Sequence, residues 1–116
     1  MKRDNDYLRT LLLKFEADDS ALVFVSRELN PSQEKSKFGY HVELLCDAGF
    51  MRPVSTSDYR VTSQGHDFLE SIRDEAIWEK TKAGVNKIGG ATLSVFASIA
   101  VAYGKQAIED KLGLKL

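Results

Sequence analysis

One cysteine, two prolines and almost no net charge set the first limits on this chain of 116 residues. A lone thiol, Cys46, excludes an internal disulfide framework and a zinc site built on several thiolates. So few prolines, with 43% hydrophobic and 28% charged residues, exclude a disordered or low-complexity chain. A net charge of −1 gives no general signal for polyanion binding, although a local basic patch stays open. The first 20 residues mix Lys, Arg, Asp and Glu with Leu and lack an apolar h-region, so a cytoplasmic location is expected. No Ser/His/Asp or Cys/His arrangement is suggested. Gly89-Gly90 follows no strand and makes no phosphate-cradling loop. A non-enzymatic protein without cofactor or metal is therefore expected. Cys46, on a helix beside Leu45, reads as a small core residue.

What is present is a patterned, single-domain length with an uneven charge distribution. Residues 1–80 hold 11 Lys/Arg against 15 Asp/Glu, and residues 81–116 hold 5 against 2. The balances of −4 and +3 add to the chain's −1. Leu8, Leu11, Leu12 and Phe15 repeat at helical spacing, which predicts a first helix over 4–17 with Asp4 as its cap. Leu22 to Val25 reads as a strand. A second helix is predicted from Ser32 to Ala48, stopped by Gly49, with Gly39 as a point where it could break. Residues 50–55 and 58–61 form a predicted hairpin about a turn at Thr56-Ser57-Asp58. Thr62 then caps one long helix, carrying Phe68, Leu69, Ile72, Ala76 and Trp78, that runs on to Lys87. Trp78 is expected to pack between this helix and a last helix over 91–112.

The order helix, strand, helix, hairpin, helix is accompanied by two short motifs. Tyr40-His41 with Leu44-Leu45 and Ala48-Gly49-Phe50 resembles the recognition-helix segment of winged-helix proteins. Arg60-Val61-Thr62-Ser63-Gln64-Gly65 resembles the exit from their wing, where the Thr caps the next helix and the Gly lets it sit close to the sheet. Nearly the whole chain is similar to a bacterial and prophage family, domain of unknown function 2513. The similarity lies in Met1 to Asp4, the motif around Tyr40-His41, Gly65-His66-Asp67-Phe68-Leu69, Trp78 and the Lys111-Leu112-Gly113-Leu114 ending. It implies a small winged-helix-like protein, often carried by phages, and no particular activity.

The expected fold is thus α+β and mostly α: a winged helix-turn-helix-like domain over 1–80 with a C-terminal helical extension over 81–116. The expected function is a DNA-binding or regulatory protein of a phage or prophage. Gln33, Lys35, Lys37, Tyr40 and His41 would face the major groove of double-stranded DNA, and Arg52 and Arg60 would reach phosphates from the wing. The alternative is a protein–protein adaptor or inhibitor acting on a host protein through an acidic face at Asp18, Asp19, Glu28 and Glu34. His66 is expected to make a structural hydrogen bond near a helix start rather than to hold a metal.

The last helix has three readings. Between Lys87 and Lys105 lie 17 residues without a charge. Gly90, Ser94, Ser98 and Ala102 make a ridge of small residues, with Phe96 and Tyr103 on a neighbouring stripe. The helix could be plain core or the seam of a homodimer. A membrane span is disfavoured, because the run sits at the bottom of the usual length range and spends positions on Gly, Ser and Thr.

Overall fold

The computed structural model describes residues 1–115. It contains α1 (Asn5–Ala17), β1 (Val23–Phe24), α2 (Gln33–Asp47), β2 (Met51–Pro53), β3 (Asp58–Val61), α3 (Ser63–Ile72), α4 (Glu75–Lys87) and α5 (Leu93–Leu112). The class is α+β and mostly helical. The chain divides into two compact units, Met1–Leu69 and Glu70 onward. The division falls within α3, and α4 runs across position 80 without a break.

In the first unit, each helix starts where a short polar side chain captures a free amide. Asp4 accepts a hydrogen bond from the Tyr7 amide at 3.0 Å, and Ser32 accepts one from the Lys35 amide at 3.2 Å. Leu8, Leu11 and Leu12 of α1 are buried, as are Val42 and Leu45 of α2. Gly39 does not break α2. A Cβ there would lie 3.5 Å from Val25, ordinary packing distance, so the helix passes through it. α2 ends in a Schellman arrangement. The Gly49 amide bonds the Cys46 carbonyl at 2.9 Å and the Phe50 amide bonds the Leu45 carbonyl at 2.8 Å. Gly49 takes φ +82°, a value that favours glycine, and this turn aims the chain into β2.

The sheet has the order β1-β3-β2, with both pairings antiparallel. Val23 faces Tyr59 and Phe24 faces Asp58. On the other side, Met51 faces Val61, Arg52 faces Arg60 and Pro53 faces Tyr59. Met51, Tyr59 and Val25 are buried. Thr62 ties the hairpin to the next helix: its hydroxyl donates to the Gly49 carbonyl at 2.6 Å and accepts from the Gly65 amide at 3.1 Å. Gly65 sits so close to the Phe50 carbonyl that a Cβ would stand 2.1 Å from that oxygen. The close approach stacks Phe68 on Phe50, with ring centroids 4.5 Å apart.

The second unit corrects one expectation. The predicted single helix from Thr62 to Lys87 is two helices, α3 and α4. The apolar spacing continues across the junction, but Asp74 is extended and its carboxylate accepts from the Ile77 amide at 3.0 Å. A capping side chain here outcompetes helix continuation. α4 and α5 form a helical hairpin about Gly89 and Gly90, at φ +82° and +122°. Trp78 is buried and lies 5.5 Å from Phe96, as its predicted place between the helices required. Thr81 is fully buried, and its hydroxyl donates to the Ile77 carbonyl at 2.7 Å. Gly84 lets Tyr103 approach: a Cβ at 84 would lie 3.3 Å from the Tyr103 hydroxyl. Leu93, Phe96 and Ala100 are the buried positions of α5, and Val95, Val101 and Ile108 are exposed.

Candidate nucleic-acid interface

The residues expected to touch DNA separate into three groups. His41 is withdrawn from the surface. It is fully buried, its Nε2 accepts the Asp4 amide at 2.9 Å, and its Nδ1 lies 2.7 Å from the Lys37 carbonyl. Since Nε2 is the acceptor, Nδ1 carries the proton and donates. Tyr7 and Tyr40 close over the ring edge-on at 4.9 and 5.5 Å. The helical spacing of Phe38, His41 or Val42, and Leu45 allows His41 an inward place, and there it joins α2 to the start of α1.

Lys35 is exposed and Lys37 half-buried, and both are engaged. Lys35 pairs with Glu28. Lys37 lies 3.2 Å from Asp4 and 4.4 Å from the centre of the Tyr7 ring. The Lys35 ammonium holds the Glu28 carboxyl below the usual range. The Asp4 carboxyl is also low, first because it accepts the Tyr7 amide. Burial raises the Tyr7 hydroxyl. Gln33 and Tyr40 are exposed on α2, beside Glu34, Glu43 and Asp47. Glu43 is engaged too: it accepts from the Tyr59 hydroxyl at 2.6 Å and lies 3.9 Å from Arg27. The hydrogen bond to Glu43 is the main reason that the Tyr59 hydroxyl is raised.

Arg52 and Arg60 form the third group. They face each other across β2 and β3, and both are exposed. Neither forms an ion pair among the described residues. Among the described residues, the one hydrogen bond of the Arg60 side chain is long, 3.4 Å from its guanidinium to the Val61 carbonyl. Like charges directly opposite on a sheet are unfavourable unless something anionic covers them.

The sheet register shows what accompanies these arginines. Side chains alternate along a strand, so Arg52, Arg60, Asp58 and Phe24 share the face opposite to Met51 and Tyr59. The same alternation carries Leu22 and Val54 onto that outer face. Leu22, Phe24 and Val54 are 46%, 67% and 53% exposed. The Asp58 carboxylate is held by the Ser55 hydroxyl at 2.8 Å. Sequence reasoning missed Leu22, Phe24 and Val54. The run Leu22 to Val25 is apolar at every position, so no alternation marks its outer side before the pairing with β3 is known.

The remaining candidates are placed as follows. Asp18 and Asp19 line, with Phe15, Glu16, Arg60 and His66, an open cleft of about 280 Å³. Glu28 is bound to Lys35, and Glu34 is exposed. Ser94, Ser98 and Ala102 are exposed along α5. Gly90 precedes that helix, in the turn. Phe96 is buried against Trp78, and Tyr103 is half-buried over Gly84, so both belong to the packing of the second unit. Cys46 is half-buried, and burial pushes its thiol up to about 11. Among the described residues no group of three or more His, Cys, Asp or Glu could hold a metal. No helix of the described residues is long and apolar enough to cross a membrane.

Comparison with known proteins gives a family but no activity. A family model described as a hypothetical protein (DUF2513) matches residues 2–92, which is the family that the sequence motifs indicate. An uncharacterized protein of Haemophilus influenzae is 28% identical over 93 residues, covering 73% of this chain and 79% of the relative. No solved structure matches.

Proposed function

Because the chain belongs to the DUF2513 family, for which no activity is described, we propose a function from geometry: its first unit is a winged-helix-like, non-enzymatic module that binds DNA in a regulatory role. In this reading the β2–β3 hairpin serves as the wing. The observation that carries the proposal is the opposed and exposed couple Arg52 and Arg60, which form no ion pair among the described residues. A phosphate group would relieve their repulsion and accept from both guanidinium groups. In the same reading α2 serves as the presenting helix and offers Gln33 and Tyr40. A helix-turn-helix needs two successive helices joined by a short turn, whereas β1 lies between α1 and α2 here and a single helix lies between β1 and β2. This difference moves the weight of the proposal from α2 to the hairpin. Lys35 and Lys37 remain recruitable, since exposed ion pairs are worth only ~0–1 kcal/mol. A second copy packed along Ser94, Ser98 and Ala102 of α5 would bring two such hairpins together.

The test is a fluorescence-anisotropy titration of a short DNA duplex and its separated strands, at two salt concentrations. Arg52→Gln with Arg60→Gln should weaken binding and flatten its log–log salt dependence by about 0.7–0.9, the slope contributed by the one phosphate that both cations neutralise. An unchanged affinity and slope for every DNA form would refute the proposal.

A second reading is a protein–protein adaptor or inhibitor, and one observation favours it. The cleft beside Asp18 and Asp19 is lined by these two carboxylates and Glu16 together with Arg60 and His66, an excess of acid that suits a basic side chain of a partner. Charge reversal at Asp18 and Asp19 should then abolish capture of that partner. Capture that survives the reversal would dispose of this reading.

A further inference from the structure

We infer that the outer face of the sheet is a platform for a single nucleic-acid strand, with an unpaired base stacked on Phe24 and the neighbouring backbone held by Arg52 and Arg60. The inference rests on the DNA-binding proposal and specifies which form of nucleic acid the site takes.

The face is defined by register. The register pairs Arg60 with Arg52 and Phe24 with Asp58; continued one residue past the ends of β1 and β2, it sets Leu22 beside Arg60 and Val54 beside Asp58. Neighbouring strands lie ~4.8 Å apart and successive same-face residues ~6.8 Å, so the six positions cover a face roughly 10 Å by 7 Å. That is room for one base and adjoining phosphate. Asp58, the acid among them, is already held by Ser55.

Exposed apolar residues are ordinary when scattered. Here Leu22, Phe24 and Val54 occupy three of six contiguous positions, and two others are arginines that form no ion pair among the described residues. An aromatic ring on an open sheet beside unpaired cations suits a base with its π face free. In a duplex that π face is covered by the neighbouring base pairs. A duplex read by α2 would have to displace Glu28 and Asp4 from its two lysines, on a surface shared with Glu34, Glu43 and Asp47. Charge complementarity therefore favours a polyanion at the sheet, and the flat apolar part favours its unpaired form.

Anisotropy titrations with labelled oligothymidylate and with a duplex of equal length test this, using the full chain at low salt. Tighter binding of the single strand is expected. Phe24→Ala should weaken single-strand binding about tenfold. Phe24→Tyr, which keeps the ring, should restore it, and duplex affinity should be the same in all three proteins. Phe24 is exposed, so an unchanged melting temperature will show that Phe24→Ala remains folded. Preference for the duplex, or single-strand affinity indifferent to Phe24→Ala, would overturn the inference. If either occurs while Arg52→Gln with Arg60→Gln still weakens binding, the DNA-binding proposal stands without it. Binding of neither form at low salt would overturn both.

Discussion

Replacing Gly65 with alanine should destabilise the first unit, although Gly65 lies in a helix where alanine is normally the better residue. Within a helix the exchange ordinarily gains up to ~1 kcal/mol. At position 65 the new methyl would stand 2.1 Å from the Phe50 carbonyl oxygen and 2.7 Å from Val61 Cγ1. The valine can rotate. The carbonyl cannot easily swing away, because it accepts the Thr62 amide at 2.9 Å and opens β2. Relief requires α3 to move off the hairpin, which loosens the Phe50–Phe68 stack. Overpacking against a fixed neighbour costs ~1–3 kcal/mol, occasionally more. We expect a net loss of about 2 kcal/mol. With a urea slope of ~1–3 kcal/mol/M, the midpoint falls by roughly 1 M. Gly39→Ala is the matched control. The same methyl meets Val25 at 3.5 Å, ordinary contact, in the interior of α2. It should raise stability by ~0.5–1 kcal/mol. Urea unfolding followed by far-ultraviolet circular dichroism reads both. A Gly65→Ala protein with the parental midpoint would refute the close approach of α3 to the hairpin, and with it the reason for a glycine there.

Two further predictions concern ionisable groups. Asp4 has a lowered pKa in the folded chain, chiefly through the Tyr7 amide, so its contribution to stability is full above the unfolded value and is lost as pH falls through the folded one. Asp4→Ala should cost about 1 kcal/mol at neutral pH, as loss of a helix cap does, and the gap to the parent should close in acid; urea midpoints across that range will show whether it does. The Cys46 thiol, pushed up to about 11, should react with a thiol reagent at neutral pH far more slowly in the folded chain than in denaturant, which stopped-flow absorbance would record.

Much of the fold is readable from local chemistry. Asp4, Ser32 and Thr62 cap where short polar side chains precede periodic runs, and Gly49 turns the chain where the pattern asks for a C′ glycine. The break between α3 and α4 is masked, because Ile72 and Ala76 continue the i, i+4 spacing across it. Asp74 followed by Glu75 is the available signal: a cap residue and an acid suited to a first turn. The candidate site is far less legible. The pairing of Lys37 with Asp4 spans 33 positions, and the burial of His41 depends on that same distant residue's amide. Arg52 and Arg60 read as wing cations from the sequence, but their opposition requires the hairpin register. Phe24 becomes a candidate only through the pairing of β1 with β3, which decides which side of an all-apolar run faces outward.

The edges of the sheet carry a consequence of their own. β3 is flanked on both sides, so β1 and β2 bear the open edges. The Val54 amide bonds the Asp58 carbonyl at 2.8 Å and the Thr62 amide bonds the Phe50 carbonyl at 2.9 Å. This phasing turns the backbone amides of 51 and 53 outward, and residue 53 is a proline with no N–H to give. The opposite edge offers a strand of only two residues. An incoming strand would find too few donors and acceptors to zip against on either side. The chain can therefore keep Leu22, Phe24 and Val54 open to solvent without inviting edge-to-edge polymerisation, and association at the sheet is steered to its face.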